Sequence, residues 1–443
     1  MSQKQPEFRK WSGMLILTAF IAQFIYSEML SDIYNTYYTY LAIDGTVWTR
    51  SNMTLPITIS GFLAIPVLYI GASIMAKADS RFVCSLTMVI VGACTIVLGF
   101  TGDKNFPVWF VTMMVNNIAG RLLILAIQGV VTNWYISTRG KVMGIYTMAA
   151  PLGTAFFPNF LIHLVALTNP NVDVDAGEIY NFIPIWTILG IVIIILGIAF
   201  YFMIRTRPED VSLYPDGIIR SDEEIAVLRR EEPSIWTTKK LLKTPETWFL
   251  SIGSAAWIWV MNGFMSLFVV AMMTEFHVQP TTSVWFLTAS SLLGIGLSYL
   301  WGVIDDKFGT PIACRWLSVA YFFMSFSMFL AIKTHFMPLI VIAVICIAFA
   351  TGGIPNLQPS VFGYVYGRKQ FMYANKVVNP LMIIVSCPST YVFTKIQETT
   401  GSFIPVYIIC MVCAIAALVM FLLLRRSYDP ERIALKDATV VKH

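Results

Sequence analysis

One apolar run of the sequence contains a single cation and no acid. The run NNIAGRLLILAIQGVV, residues 116–131, has Arg121 near its centre. In the middle of a membrane helix such a charge costs roughly 2.5–3.5 kcal/mol, so it must face a cavity or a partner. A guanidinium can donate two parallel hydrogen bonds to a carboxylate. Arg121 is therefore a candidate for binding an organic anion, and a fixed salt bridge between helices is the alternative interpretation.

Lys376, in the segment YANKVVNP, is the second candidate cation. It follows Arg368 and Lys369 by only a few residues, so its long side chain could instead extend to the membrane surface. If Lys376 does face a cavity, each half of the chain supplies one cation to a shared anion site.

Glu28 and Asp32 are the acidic candidates. Their i, i+4 spacing places both side chains on one face of a helix. Two adjacent carboxylates resist double ionisation, so one of them is expected to hold a proton, which suits proton coupling. In the alternative interpretation, Asp32 lies at the wet outer end of the helix and Glu28 only pairs with Arg121.

Uncharged polar residues in other apolar runs could complete a binding pocket, although a hydrogen bond between packed helices is their commoner role. They are Asn262 with its neighbour Trp257, and Asn356 with Gln358. Prolines interrupt two segments, GGIPNLQP at residues 352–359 and NPLMIIVSCP at residues 379–388. Breaks of this kind free backbone groups that can line a cavity.

No constellation typical of an enzyme is present in the sequence. The GxxxxGK[ST] phosphate-binding loop is missing, and metal-ligand spacing is lacking among the histidines, which are His163, His277, His335 and His443. The sequence therefore predicts no cofactor, no metal site and no ATP-driven transport on this chain. The seven cysteines lie nearly all in apolar runs and are expected to be small buried side chains.

The elements that must position these residues are long apolar helices in a lipid bilayer. Of the 443 residues, 57% are hydrophobic and 12% are charged, whereas soluble domains carry about 25% charged residues. Apolar runs of about 20 residues, enough to span a bilayer, recur along the chain. They predict an all-α membrane protein with twelve transmembrane helices, at residues 12–34, 53–76, 83–101, 107–134, 142–167, 182–204, 247–274, 282–304, 312–332, 337–365, 372–395 and 403–424.

The positions of Lys and Arg predict the orientation of these spans. With the N-terminus inside, 24 of the 30 basic residues fall in cytoplasmic segments, and four fall outside, namely Arg50, Lys104, Lys333 and Lys395. This bias predicts a multi-pass cell-membrane protein with both termini in the cytoplasm, and we expect a monomer in a bacterial inner membrane. Since the basic residues lie at membrane edges, the net charge of +5 does not indicate nucleic acid as a partner.

The two halves of the chain resemble each other. The segment NWYISTRGK after the fourth span resembles GYVYGRKQ after the tenth, and RTRPED after the sixth resembles RRSYDPE after the twelfth. We therefore predict two pseudo-symmetric six-helix bundles, residues 1–206 and 247–443. Residues 207–246 form a cytoplasmic linker in which SDEEIAVLRREE is a short amphipathic helix. This arrangement is typical of transporters that work by alternating access around a site near the bilayer midplane.

The segment GVIDDKFG, residues 302–309, resembles the G-x-x-x-D-[RK]-x-G loop of the major facilitator superfamily. Gly302, Asp306, Lys307 and Gly309 occupy the four signature positions. The resemblance implies the major facilitator fold and a gating loop that helps to hold the inner face closed. In the matching loop of the first half, GASIMAKADSRF, Met75 stands where the acid is expected.

A second resemblance covers residues 132–158, TNWYISTRGKVMGIYTMAAPLGTAFFP, which are similar to the monocarboxylate and oxalate/formate branches of that superfamily. Those branches move small organic anions, and they often carry a basic residue in the eighth span, where this chain has none. We expect a secondary active transporter of a small organic anion, such as a carboxylate, that is proton-coupled or exchanges anions. The alternatives are an exporter of drugs or hydrophobic cations, recognised by Glu28 and Asp32, and a non-transporting membrane sensor.

Overall fold

The computed structural model of the chain is almost entirely helical in the residues that it describes. These are residues 7–29, 38, 41, 46–75, 79–102, 104–135, 139–169, 181–219, 237–366 and 371–425. The predicted site residue Asp32 and the predicted linker helix SDEEIAVLRREE lie outside the described residues.

The helices follow the apolar runs closely. In the described part of the first half they are α1 Phe8–Ser27, α2 Arg50–Met75, α3 Ser80–Thr101, α4 Phe106–Trp134, α5 Arg139–Thr147, α6 Ala149–Thr168 and α7 Ile183–Met203. In the described part of the second half they are α8 Thr238–Lys243, α9 Pro245–Phe276, α10 Pro280–Phe308, α11 Thr310–Thr334, α12 Pro338–Thr351, α13 Ile354–Tyr366, α14 Phe371–Ser386, α15 Ser389–Thr400 and α16 Ile404–Leu423.

Within the described residues, each predicted span overlaps one of these helices or a consecutive pair. The paired helices are α5 with α6, α12 with α13, and α14 with α15; the last two pairs divide where the sequence predicts proline breaks. Among the described residues, eight helical segments are long and apolar enough to cross a membrane, or nine when α12 and α13, bent by 43°, count as one span. The all-α membrane class is thus confirmed.

The chain divides into two compact units, and two of the boundaries between them fall inside helices, in α9 and α10. The first unit comprises Met1–Arg230, Met265–Ile295 and Cys387–Phe403, and the second comprises Glu231–Phe264, Gly296–Ser386 and Ile404–His443. The first unit therefore contains α1–α7 together with the end of α9, the beginning of α10, and α15. Helices from both halves of the sequence meet within this unit.

Close helix packing organises the first unit. A Cβ atom added at Gly92 of α3 would lie 2.7 Å from the Gly190 carbonyl oxygen of α7, so these two glycines let the helix backbones approach each other. Near the beginning of α4, the Trp48 ring packs edge-on against Trp109, with centroids 5.5 Å apart. Both tryptophans are buried, and they fix one end of α4, the helix that carries Arg121.

The chain that leaves α7 remains packed on the first unit. Trp134, at the end of α4, donates an indole hydrogen bond to the Arg205 carbonyl oxygen at 2.8 Å. Two 3-10 turns follow, at Pro208–Val211 and Pro215–Gly217, and the second turn lies directly against the ring of Phe8. The first part of the predicted linker is therefore folded onto the ends of α1 and α4.

Candidate functional site

Arg121 occupies the sixteenth of the 29 positions of α4, and its side chain is partly buried. Within the described part of the chain, its guanidinium makes no salt bridge and no hydrogen bond. The ion pair with Glu28 that the alternative interpretation requires is therefore not formed. One turn earlier, the buried amide of Asn117 donates to the Met113 carbonyl oxygen at 3.0 Å, a bond within α4. Arg121 therefore stays a candidate for binding an anion.

The break between α14 and α15 lies beside this cation. Cys387, in the break, is within electrostatic range of Arg121. The Cys387 carbonyl oxygen accepts a hydrogen bond of 3.1 Å from Thr58 Oγ1 of α2. A Cβ atom at Gly61 would lie 3.2 Å from Cys387 Cβ and would overlap its Sγ, so only glycine admits the thiol there. The predicted proline break is thus held on α2 near the Arg121 charge.

Glu28 lies at the end of α1, and its side chain is fully buried. Its carboxyl group packs against Gly153 of α6, where an added Cβ atom would lie 2.6 Å from Glu28 Cδ. The rings of Phe24 and Phe157 meet edge-to-face one turn away, with centroids 5.6 Å apart. The sequence indicated Glu28 but not Gly153, because a single glycine in an apolar helix gives no signal of what it packs against.

Three other predicted residues lie in the second unit. Trp257 of α9 is buried, donates an indole hydrogen bond of 2.9 Å to Ser318 Oγ, and stacks on Phe421 with centroids 4.4 Å apart. This side chain therefore packs α9 against α11 and α16. Asn262 of α9 is partly buried, and Lys376 of α14 is exposed. Their role in ligand binding stays a prediction.

Asn356 and Gln358 of α13 bond to neighbouring helices. Asn356 Nδ2 donates to the carbonyl oxygen of Ser298 in α10 at 2.9 Å, and Gln358 Nε2 lies 3.2 Å from Met382 Sδ in α14. These contacts are of the kind that joins packed membrane helices. The role of Asn356 and Gln358 in ligand binding stays a prediction.

The signature loop joins α10 to α11. Gly309 has φ +85°, in the region that favours glycine, and its N–H donates to the Asp305 carbonyl oxygen at 2.9 Å. Asp305 Oδ1 also accepts a 2.6 Å hydrogen bond from Thr310 Oγ1 at the start of α11. The remaining signature residues, in open or exposed positions, are Gly302, Asp306 and Lys307. The acid that shapes the turn is therefore the one before the signature position.

Asp79 supplies an acid in the matching loop of the first half, four residues beyond the expected place at Met75. It accepts a hydrogen bond of 3.0 Å from the Arg81 backbone N–H and so caps α3, and it forms a 3.0 Å salt bridge with the Arg81 guanidinium. Thr206 Oγ1, at the end of α7, also donates to the Asp79 carboxylate. Burial opposes its ionisation, but the bonds from Thr206 and Arg81 outweigh this and hold the pKa of Asp79 below its ordinary value.

The comparisons with known proteins agree with this architecture. Residues 12–374 match the family model of the Major Facilitator Superfamily, and because the match covers most of the chain, the chain belongs to that family. No curated protein sequence is significantly similar to it. The narrower resemblance to the monocarboxylate and oxalate/formate branches stays a prediction.

Solved structures of similar fold include two of a bacterial homologue of the human lysosomal transporter Spinster. Its inward-facing, occupied structure superimposes with a TM-score of 0.67 at 15% identity, over 96% of this chain and 98% of that one. Its inward-facing, unoccupied structure gives a TM-score of 0.66 at 14% identity, over 97% and 100%. At this identity the likeness establishes the fold alone.

Proposed function

We propose that this protein is a secondary active transporter of a small organic anion, and that Arg121 binds the anion's carboxylate. The observation that carries the proposal is an arginine in the middle of a long membrane helix whose guanidinium has no partner in the described structure. An unpaired charge at that depth is costly, so a ligand that supplies the opposite charge is favoured. The planar guanidinium matches the geometry of a carboxylate.

The break at Cys387 supports the same site. The break lies near the Arg121 charge, and Thr58 and Gly61 hold it in position on α2. Broken helices beside a charged side chain are a recurrent way for transporters to bind ionic substrates. We also propose ligand-binding roles for five residues of the second unit, which are Lys376, Asn262, Trp257, Asn356 and Gln358.

Glu28 is proposed as the proton-coupling residue, with Asp32 as its partner. It is a buried carboxyl group at the end of α1, and intramembrane acids commonly carry protons in transporters. Binding of an anion at Arg121 would change the electrostatic environment of the first unit and so bias the protonation of Glu28. We also propose that the protein is a monomer in the cell membrane, with both termini in the cytoplasm.

The first experiment measures uptake by proteoliposomes of radiolabelled formate, acetate, lactate and oxalate, with tetraphenylphosphonium as a cationic probe. We expect uptake of at least one carboxylate and its loss in Arg121→Gln. Lys395→Gln, which removes an exposed cation elsewhere, should transport like the parent. Uptake of the cation alone, with Arg121→Gln unaffected, would overturn the proposal in favour of a cation exporter.

The second experiment separates coupling from binding. Glu28→Gln should abolish accumulation driven by a pH gradient while leaving counterflow exchange intact, because exchange does not require the proton to be released. Loss of both activities in a correctly folded variant would assign Glu28 to structure, and loss of neither would point to Asp32 or to exchange without protons.

A further inference from the structure

Within the first unit, three contacts join one face of α2 to α15 and to the break that precedes it. Ser51 Oγ donates to Glu398 Oε2 at 2.5 Å, Thr54 Oγ1 lies 3.1 Å from Thr394 Oγ1, and Thr58 Oγ1 donates to the Cys387 carbonyl oxygen at 3.1 Å. On α2 the three hydroxyl groups are spaced i, i+3 and i+7, so they lie along one face. We call this row of three contacts the hydroxyl ladder.

Glu398 also accepts a hydrogen bond from the backbone at the start of α2. Its Oε1 accepts a hydrogen bond of 2.7 Å from the backbone N–H of Ser51, the second residue of α2. This N–H is one of the donors that a helix leaves unsatisfied at its N-terminus, and a negative charge there is also favoured by the helix dipole. An acid 347 residues away in sequence therefore caps α2.

A buried cation reinforces the same carboxylate. Arg50, the first residue of α2, is only 7% exposed and interacts electrostatically with Glu398. Ser51, Thr54 and Thr394 are also buried, so water does not compete with these bonds in the described structure. Charge-assisted hydrogen bonds are roughly twice as strong as neutral ones, so the Glu398 rung is the strongest of the three.

We propose that the hydroxyl ladder is a releasable latch between the two halves of the sequence, and that Glu398 is the residue that holds it closed. The proposal rests on the transport function only in requiring that α2 and α15 separate during the cycle. Small hydroxyl side chains suit this role because their bonds exchange readily for bonds to water when the helices part. A large apolar contact would instead expose hydrocarbon.

The test measures how accessible position 54, in the Thr54–Thr394 contact, is to a thiol reagent, with no substrate present. Thr54→Cys is introduced, and its labelling by N-ethylmaleimide in the purified full-length protein is followed by peptide mass spectrometry. We expect slow labelling in the parent background, labelling at least about tenfold faster with Glu398→Ala, and an intermediate rate with Glu398→Gln, which keeps an acceptor oxygen but loses the charge. Lys395→Gln, one turn away on α15 and exposed, is the matched control and should leave the rate unchanged.

A second readout applies if Glu398→Ala does not fold. The pair Thr54→Cys and Thr394→Cys should form a disulfide under mild oxidation in the parent, and more slowly with Glu398→Gln. Unchanged labelling and cross-linking in the Glu398 variants would show that the ladder is fixed packing, and so would an equal effect of Lys395→Gln. Because neither readout involves a substrate, failure of anion uptake does not affect this result.

Discussion

Gly153 of α6 provides the space that the buried carboxyl group of Glu28 in α1 occupies. A Cβ atom at Gly153 would overlap Glu28 Oε1 and lie 2.6 Å from Glu28 Cδ. The absence of a side chain on one helix therefore fixes where an acidic group on another helix can sit. If Glu28 carries a proton, it binds and releases that proton where its carboxyl group lies against Gly153.

Gly153→Ala should destabilise the protein by about 1–3 kcal/mol, the usual cost of forcing an extra methyl group into a packed site. The matched control is Gly144→Ala in α5, where an added Cβ atom meets nothing within 4 Å; it should be neutral or stabilising by up to about 1 kcal/mol. The melting temperatures of the purified variants report both effects. Glu28→Asp, which shortens the acid by one methylene, should partly rescue Gly153→Ala, and equal melting temperatures for the two alanine variants would contradict the contact.

Arg121→Lys should fold normally and bind the transported carboxylate about tenfold more weakly, a loss near 1.4 kcal/mol. Lysine keeps the positive charge, but its single ammonium group cannot donate the two parallel hydrogen bonds that a planar guanidinium donates to a carboxylate. Binding to purified protein is measured by calorimetry, with Lys395→Arg as the control for exchange of cations. The same carboxylate should slow the reaction of Cys387 with N-ethylmaleimide, because that thiol lies near Arg121; binding by Arg121→Lys equal to that of the parent would place anion recognition elsewhere.

Asp79→Ala should lower the free energy of unfolding by about 1 kcal/mol, because it removes the side chain that caps α3. The Asp79 side chain is 42% exposed, so its salt bridge with Arg81 adds little to that figure. The pKa of Asp79 is lower in the folded protein than its ordinary value of 3.8. The ionised carboxylate therefore stabilises the fold at pH values above 3.8. That stabilisation is lost as the pH falls through the lower, native pKa.

The measurement is the melting temperature between pH 7 and pH 3 for the parent, Asp79→Asn and Asp306→Asn. Asparagine caps a helix about as well as aspartate, so Asp79→Asn should resemble the parent at pH 7 and lose less on acidification. Asp306 is exposed, so its variant should follow the parent throughout. If the melting temperatures of the parent and of Asp79→Asn fall identically with pH, the Asp79 carboxylate does not contribute to stability.

Lys239→Cys in α8 should react with a membrane-impermeant maleimide only when the cytoplasmic side is accessible. Lys239 is exposed, and the distribution of basic residues predicts that its segment is cytoplasmic. Lys104→Cys, exposed just before α4, is the control and should be labelled in intact cells. Labelling of Lys239→Cys from outside in intact cells would reverse the predicted orientation.

The helices and the main charged residue were accessible from the sequence because each produces a local signal. Apolar runs mark the helices, and Arg121 is conspicuous as the one basic residue in a run of sixteen otherwise uncharged positions. Gly309 was likewise identified through its signature, and its φ of +85° gives the reason that glycine is needed there.

The hydroxyl ladder could not be predicted in the same way. Ser51, Thr54 and Thr58 are ordinary residues in a membrane helix, where a hydroxyl commonly bonds to its own backbone. Their partners lie more than 300 residues away, and only the fold brings them together. Asp79 was missed for a different reason, because the acid was sought at the position of Met75 and it lies four residues later in the sequence.

The folded segment after α7 has a practical consequence for engineering the protein. Residues 205–219 are folded against the ends of α1 and α4, so these fifteen residues do not act as a free tether after α7. Fully extended, those residues would reach roughly 50 Å. A fluorescent domain or a rigid imaging scaffold inserted among them would displace Phe8 and Trp134 from their contacts, whereas one inserted beyond Ile219 leaves this junction intact.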